Sequence, residues 1–304
     1  MQDCFRNCSI HCETTMRVET QQVEVRGHSL HRIIMHPEPS TPVCAVAIFY
    51  HGQGGYAERY PEVLEVFTKR GIRCVITDLP GHGRSPGRRG HVGDERVLDS
   101  VIQSSLKEVG NLPHGVMGHS MGGLLALRHL VLAGKGLLPK PAFSWISSPL
   151  IDPGGGRPPW FRKMVSILAP VFPWFTVSTG VTSAMCRVVD GQQEETPSKK
   201  SGLELWHRRV SLGWGVFLIQ TAEWLQQTAS HVAKDLPLLM TQGGDDPVCP
   251  PRNAREFFDK LGSDSQTYLE IEGVLHEPFS GLGKEPLFEA LENWLSELQL
   301  DSQA

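Results

Sequence analysis

The stretch Val116-Met117-Gly118-His119-Ser120-Met121-Gly122-Gly123 limits what this chain can fold into more than any other. It has the form G-x-S-x-G, set between a short apolar run and a helix-forming run, Leu124-Leu125-Ala126-Leu127-Arg128-His129-Leu130. A strand that turns sharply into a helix holds the residue at the apex in a strained backbone conformation and leaves no room for side chains two positions to either side. Gly118 and Gly122 meet that requirement around Ser120. The serine hydroxyl is expected to project above a sheet edge, beside the positive end of the following helix.

The rest of the chain supplies the sheet. Gln22 to Val25 and Leu30 to Met35 are β-prone runs separated by Arg26-Gly27-His28, a pattern that predicts an antiparallel hairpin at a sheet edge. Val43 to Tyr50 is almost continuously apolar, as a parallel strand covered on both faces should be, and it leads into His51-Gly52-Gln53-Gly54-Gly55. A helical pattern from Pro61 to Lys69 precedes the buried run Cys74 to Thr77, and another from Asp94 to Gly110 precedes the Ser120 turn. With the strand Phe143 to Ile146, strand and helix have alternated three times, which predicts a mostly parallel α/β sheet with right-handed crossovers. The alternation stops between Asp152 and about Ser230, where Trp- and Phe-rich helical pieces are broken by Pro-Gly-rich and polar loops, and it resumes at Leu236. The expected organisation is a leader over 1–20, a core over 21–151, a helical cap over 152–230 and the rest of the core over 231–304. Asp190 to Ser201 is read as a polar loop or disordered excursion of the cap.

Composition removes several classes. A net charge of −4, 40% apolar and 20% charged residues describe an ordinary globular protein, and the scattered Lys and Arg residues give no nucleic-acid footprint. Seven cysteines, with Cys44 and Cys74 in apolar strand-like runs, fit a reducing compartment, so a cytoplasmic location, peripheral at membranes, is expected. Cys4, Cys8 and Cys12 recur every four residues, but they lack the C-x-x-C pairing of a zinc site and the apolar core of a signal peptide. Met164 to Cys186 carries no formal charge, yet Pro170, Pro173 and Gly180 interrupt it. A single span there would also separate Ser120 from its candidate acid and base across a bilayer. The stretch is therefore read as cap surface that touches lipid without crossing it.

A serine hydroxyl attacks well only when a base takes its proton and an acceptor holds that base in one tautomer. Gly243-Gly244-Asp245-Asp246-Pro247-Val248 follows the penultimate predicted strand and Glu272-Gly273-Val274-Leu275-His276-Glu277 the last, giving the chain order Ser, Asp, His. Parallel strands open their C-terminal ends on one sheet edge, so such distant residues can converge. An oxyanion would need two N–H donors: Met121, at the start of the helix after Ser120, and Gln53, whose backbone N–H serves whatever its side chain. Metal hydrolysis is disfavoured, since there is no H-E-x-x-H and His28/His31 and His82/His91 lack acidic or Cys partners. The chemistry so read uses neither cofactor nor metal.

His51-Gly52-Gln53 followed by Arg59-Tyr60, then D-x-x-G-H-G-x-S over Asp78 to Ser85, then Gly118-His119-Ser120-Met121-Gly122-Gly123, together resemble the monoacylglycerol lipase and lysophospholipase family of α/β-hydrolases. The resemblance spans roughly Gln22 to Leu298. It implies an α/β-hydrolase fold with a helical cap over the serine, and lipase or esterase activity on single-chain acyl lipids. Its acid motif, Gly243-x-x-Asp246-x-Val248, selects Asp246 over Asp245, and His276 fits its histidine. The cap departs from the family in Asp190 to Ser201 and in the Trp-rich Trp206 to Trp224 region. Trp160, Phe161 and Met164 are expected to contact substrate at the mouth of an acyl pocket that docks transiently on lipid surfaces. The competing readings are a carboxylesterase for short soluble esters, a peptidase of the same fold, and a hydrolase-fold binding protein without turnover.

Overall fold

The computed structural model describes residues 17–155, 158–187, 205–261 and 265–299, and of residues 159 and 161 it describes the backbone alone. The three leader cysteines and the polar excursion from Asp190 to Ser201 lie outside the described residues. Arg17–Val25 (β1) and His28–His36 (β2) form the antiparallel edge hairpin, turning at Arg26 and Gly27 with φ of 49° and 79°. Strand β1 thus begins inside the leader that was expected to reach residue 20. None of Arg17 to Thr20 is buried, Val18 itself being 47% exposed, so this end of the edge strand is held by its backbone pairing with β2 and needs no apolar pattern.

The strongly apolar runs become Ala45–Tyr50 (β3), Ile72–Thr77 (β4), His114–His119 (β5) and Phe143–Ser147 (β6). Between them lie Pro61–Thr68 (α1), Glu95–Leu106 (α2) and Met121–Gly134 (α3). Pro61 at the first helical position starts α1, and the Asp94 carboxylate caps α2 by accepting from Val97 N at 3.2 Å. The cap comprises Pro159–Leu168 (α4), Thr176–Ser178 (β7), Ser183–Cys186 (α5), Arg209–Ser211 (β8) and Leu212–Thr228 (α6). Its small β7–β8 antiparallel ribbon was not expected, because three-residue strands are too short to show a period. The core closes with Leu238–Gly243 (β9), Pro251–Phe258 (α7), Gln266–Ile271 (β10) and Lys284–Glu297 (α8).

The eight core strands run β1-β2-β4-β3-β5-β6-β9-β10, with β1 and β2 antiparallel and β4 through β10 parallel. Helices α1 and α8 cover one face, while α2, α3, α6 and α7 pack on the other. Trp145 on β6 anchors the first layer, fully buried with its ring stacked 5.6 Å from that of Phe67 and its indole N–H donating to Thr241 Oγ1 at 3.1 Å. Burying such a ring contributes on the order of 4–6 kcal/mol before its ordering entropy. The consequence for function is positional: β3, β5, β9 and β10 all release their chain on the same edge.

Candidate active site

Ser120 follows β5 and sits at φ 57°, ψ −120°, a region unfavourable to any residue with a Cβ. The strain is held by packing and by its amide, which donates to Ser147 O at 2.9 Å. Both flanking glycines are required, because a Cβ on Gly118 would run into the Gly122 carbonyl and one on Gly122 into the carbonyl of Tyr50. The helix can therefore start hard against β3, with the hydroxyl raised over the sheet edge.

His276, after β10, reaches Ser120 Oγ with Nε2 at 2.8 Å and Asp246 Oδ2 with Nδ1 at 2.7 Å. Asp246 is buried after β9, while Asp245 is exposed and turned away from this chain of contacts. The other Asp246 oxygen, Oδ1, accepts from the amides of Val248 and Cys249 at 2.8 and 2.9 Å. Such a chain can take a proton from the serine and keep the imidazolium paired. Gln53 and Met121 stand on the same edge, and among the described residues neither backbone N–H is hydrogen-bonded to the protein. Asp246, Cys249 and His276 also place potential metal-ligand atoms within 4.8 Å of one another. A metal held there would compete for the His276 and Asp246 atoms that already bond each other, so the trio fits proton relay better than a metal centre.

Several further residues of the site were given no role by the sequence. Gln242, buried at the end of β9, donates through Nε2 to Asp246 Oδ2 and to Cys249 O, each at 2.9 Å. Arg59 and Glu277 form a 2.6 Å ion pair in the wall of the cavity above Ser120. Burial opposes the Arg59 charge, but Glu277, helped by Tyr60 and Tyr56, more than offsets it. Arg59 stands in the Arg59-Tyr60 motif and Glu277 directly follows His276, but nothing in the sequence pairs the two. His119 packs its ring 4.8 Å from that of His276, and burial, with His276 beside it, holds its pKa well below the ordinary value.

The cavity over Ser120 encloses about 1290 Å³ and is mostly apolar, roofed by Leu168, Phe172, Trp174 and Phe175 from the cap. Met164 lines it as expected. Trp160 does not: one turn earlier on α4, it is 65% exposed and outside the lining, to which α4 contributes Arg162, Met164, Val165 and Leu168. The Phe161 side chain lies outside the described residues. No helix among them is long and apolar enough to cross a membrane.

A sheet of this order, with a strained serine after its central strand, a histidine and an aspartate from its last two strand ends and an inserted cap, defines an α/β-hydrolase. The family described as "Serine aminopeptidase, S33" matches residues 41–281, most of the chain, and the protein belongs to that family. It is 29% identical over 262 residues to an uncharacterized abhydrolase domain-containing protein of Dictyostelium discoideum, covering 85% of this chain but only 27% of that longer protein. It is 27% identical to phospholipase YtpA of Bacillus subtilis, covering 81% of this chain and 93% of the relative. The crystal structure of Paleococcus ferrophilus monoacylglycerol lipase superposes with a TM-score of 0.75 at 26% identity, over 89% of this chain and 99% of that one.

Proposed function

We propose that this α/β-hydrolase cleaves carboxylic esters of single-chain lipids, of the monoacylglycerol or lysophospholipid type, through an acyl-enzyme on Ser120. In this reading His276 Nε2 takes the hydroxyl proton as Oγ attacks the ester carbonyl, and the Gln53 and Met121 amides receive the oxyanion. The C–O bond to the alcohol then breaks, His276 returns the proton to the leaving oxygen, and a water activated by the same nitrogen hydrolyses the acyl-enzyme.

One observation carries the substrate class: the Ser–His–Asp chain opens into a cavity that is large, mostly apolar and charged where Arg59 and Glu277 line it. Its volume exceeds the roughly 300–1,000 Å³ of ordinary small-molecule pockets, giving room for an acyl chain. The ion pair offers polar partners to an alcohol that carries hydroxyl or phosphate groups. The names of the phospholipase and monoacylglycerol lipase relatives agree with this.

The cap also supports contact with a lipid surface. Ile167 and Val171 are 64% and 65% exposed, next to the exposed Phe172, Trp174 and Phe175, and together they make an apolar rim around the cavity's roof. Exposed apolar surface of this extent marks an interaction face.

Fluorophosphonate labelling, followed by rates on monoacylglycerols, lysophospholipids, short nitrophenyl esters and aminoacyl amides, tests the proposal. Preference for the long-chain lipids is expected. Preference for short esters would leave a general carboxylesterase, preference for aminoacyl amides would make it a peptidase as its family description suggests, and absence of turnover would leave a binding protein.

A further inference from the structure

Gln53 was expected to act only through its backbone, but its side chain is held at both ends by the cap. Gln53 Nε2 donates to Arg209 O in β8 at 2.7 Å. Its Oε1 accepts from the indole N–H of Trp214 at 3.1 Å. Trp214 is completely buried in the first turn of α6, and the same N–H lies 3.3 Å from the sulfur of Met121. One indole nitrogen thus touches the side chains of both residues assigned above as oxyanion donors.

The neighbouring contacts tie the same loop to the same part of the cap. His207 N donates to Gly54 O at 3.2 Å, and Gly54, at φ 71°, approaches His207 so closely that a Cβ there would overlap its carbonyl. Trp214 is itself fixed, since Ser211 Oγ caps α6 by accepting from Trp214 N at 3.3 Å and the ring stacks on Phe217 at 4.9 Å. These contacts join the loop that carries Gln53 to β8 and to the start of α6.

We infer that Trp214 and Gln53 are positioning residues for the oxyanion site: the indole N–H and the Gln53 amide hold the two donor amides at their working separation, so the seating of the cap sets how well the transition state is stabilised. The inference rests on the serine-hydrolase reading above. A donor amide is useful only within about 2.7–3.1 Å of the oxyanion, and loss of one costs about 10²–10³ in rate. A donor that wanders should cost less. Ground-state binding of the acyl chain, which occurs elsewhere in the cavity, should change little.

The experiment uses the full chain and a soluble nitrophenyl ester. Gln53→Met keeps the backbone N–H and the side-chain length while removing both hydrogen bonds, and Trp214→Phe keeps a buried ring without the N–H. Each is expected to lower kcat by about tenfold to a hundredfold with KM within about twofold. Each should also weaken a trifluoromethyl ketone inhibitor, which forms an oxyanion on the serine, by a similar factor. The double variant should lose less than the product of the two single losses, because both changes break the Trp214–Gln53 hydrogen bond while each also breaks one contact of its own. Gln53 is only half-buried, so its variant gives a reading even if Trp214→Phe folds poorly. An active parent with unchanged Gln53→Met kinetics, or losses that appear in KM alone, overturns the clamp and leaves the hydrolase standing. A parent with neither turnover nor labelling overturns the hydrolase reading and the clamp with it.

Discussion

Gln242 and His276 converge on one oxygen of Asp246: the amide approaches Oδ2 at 2.9 Å and the imidazole Nδ1 at 2.7 Å. With the Val248 and Cys249 amides on Oδ1, the buried carboxylate is fixed in plane, and its orientation fixes the imidazole. Gln242→Leu should lower kcat about tenfold, in line with a lost hydrogen bond to a charged group. Gln242→Glu should do worse, since it sets a second carboxylate against Asp246. Equal rates for the two variants would show that the amide does not steer the acid.

The strained backbone at Ser120 separates stability from activity. Ser120→Ala should lower kcat by about 10⁴ to 10⁶ while the protein still folds. Ser120→Gly should be equally inactive yet more stable than the parent by about 1 kcal/mol, because glycine accepts φ 57°, ψ −120° without strain. Denaturant melts of the parent and both variants provide the comparison, and a glycine variant less stable than the parent would argue against stored strain.

Asp246→Asn should abolish most activity and Asp245→Asn almost none, since only Asp246 meets His276 and Asp245 points into solvent. Steady-state rates on one nitrophenyl ester suffice. The reverse order would mean that His276 takes another acceptor during turnover.

Replacing Ile167 and Val171 together by Ser removes two exposed apolar side chains from the rim of the cap without touching the Ser120 chain of contacts. Activity on vesicle-borne monoacylglycerol should fall several-fold more than activity on a soluble short ester. Parallel losses on both would show that the pair holds the cap in place instead of meeting lipid.

Acid should loosen the junction between cap and core. The His82 ring lies 5.1 Å from His51 and 4.8 Å from His207. Burial holds His51 and His207 at about 4, and His82 well below its ordinary value. From 6.5 down to those values the unfolded chain binds protons that the native chain does not, so stability falls as pH falls through that window. Asp78, pushed up to about 7 by burial, acts with the opposite sign, losing stability as pH rises from its ordinary value of 3.8. His207→Gln removes one histidine and leaves Asp78 in place. Its Tm should therefore drop less steeply than the parent's between about pH 7 and pH 5, and identical slopes would rule out a contribution from His207.

What could be read without coordinates was whatever depends on chain period and on strand-end position. The buried runs at Val43 to Tyr50 and Cys74 to Thr77 appear as β3 and β4, and the chemistry-bearing residues Ser120, Asp246 and His276 meet because each follows a parallel strand. Pairings that depend on side-chain reach across elements were illegible. Gln242 looks like any strand residue, Trp214 like any cap aromatic, and Arg59–Glu277 joins positions 218 residues apart. Trp160 and Met164 were alike in the sequence for a related reason: helical spacing fixes which residues share a face, but not how far along the helix the cavity extends.

The strand order has a further consequence, in time instead of space. A ribosome delivers the strained Ser120 turn first, then the whole cap, and only afterwards Asp246 and the last strand with His276. Because β10, among the described residues, pairs only with β9 at the sheet's far edge, the base has no place to dock until both of these strands have emerged. A nascent chain therefore carries its serine and the exposed apolar side chains of its cap before it has the acid and the base that would activate that serine.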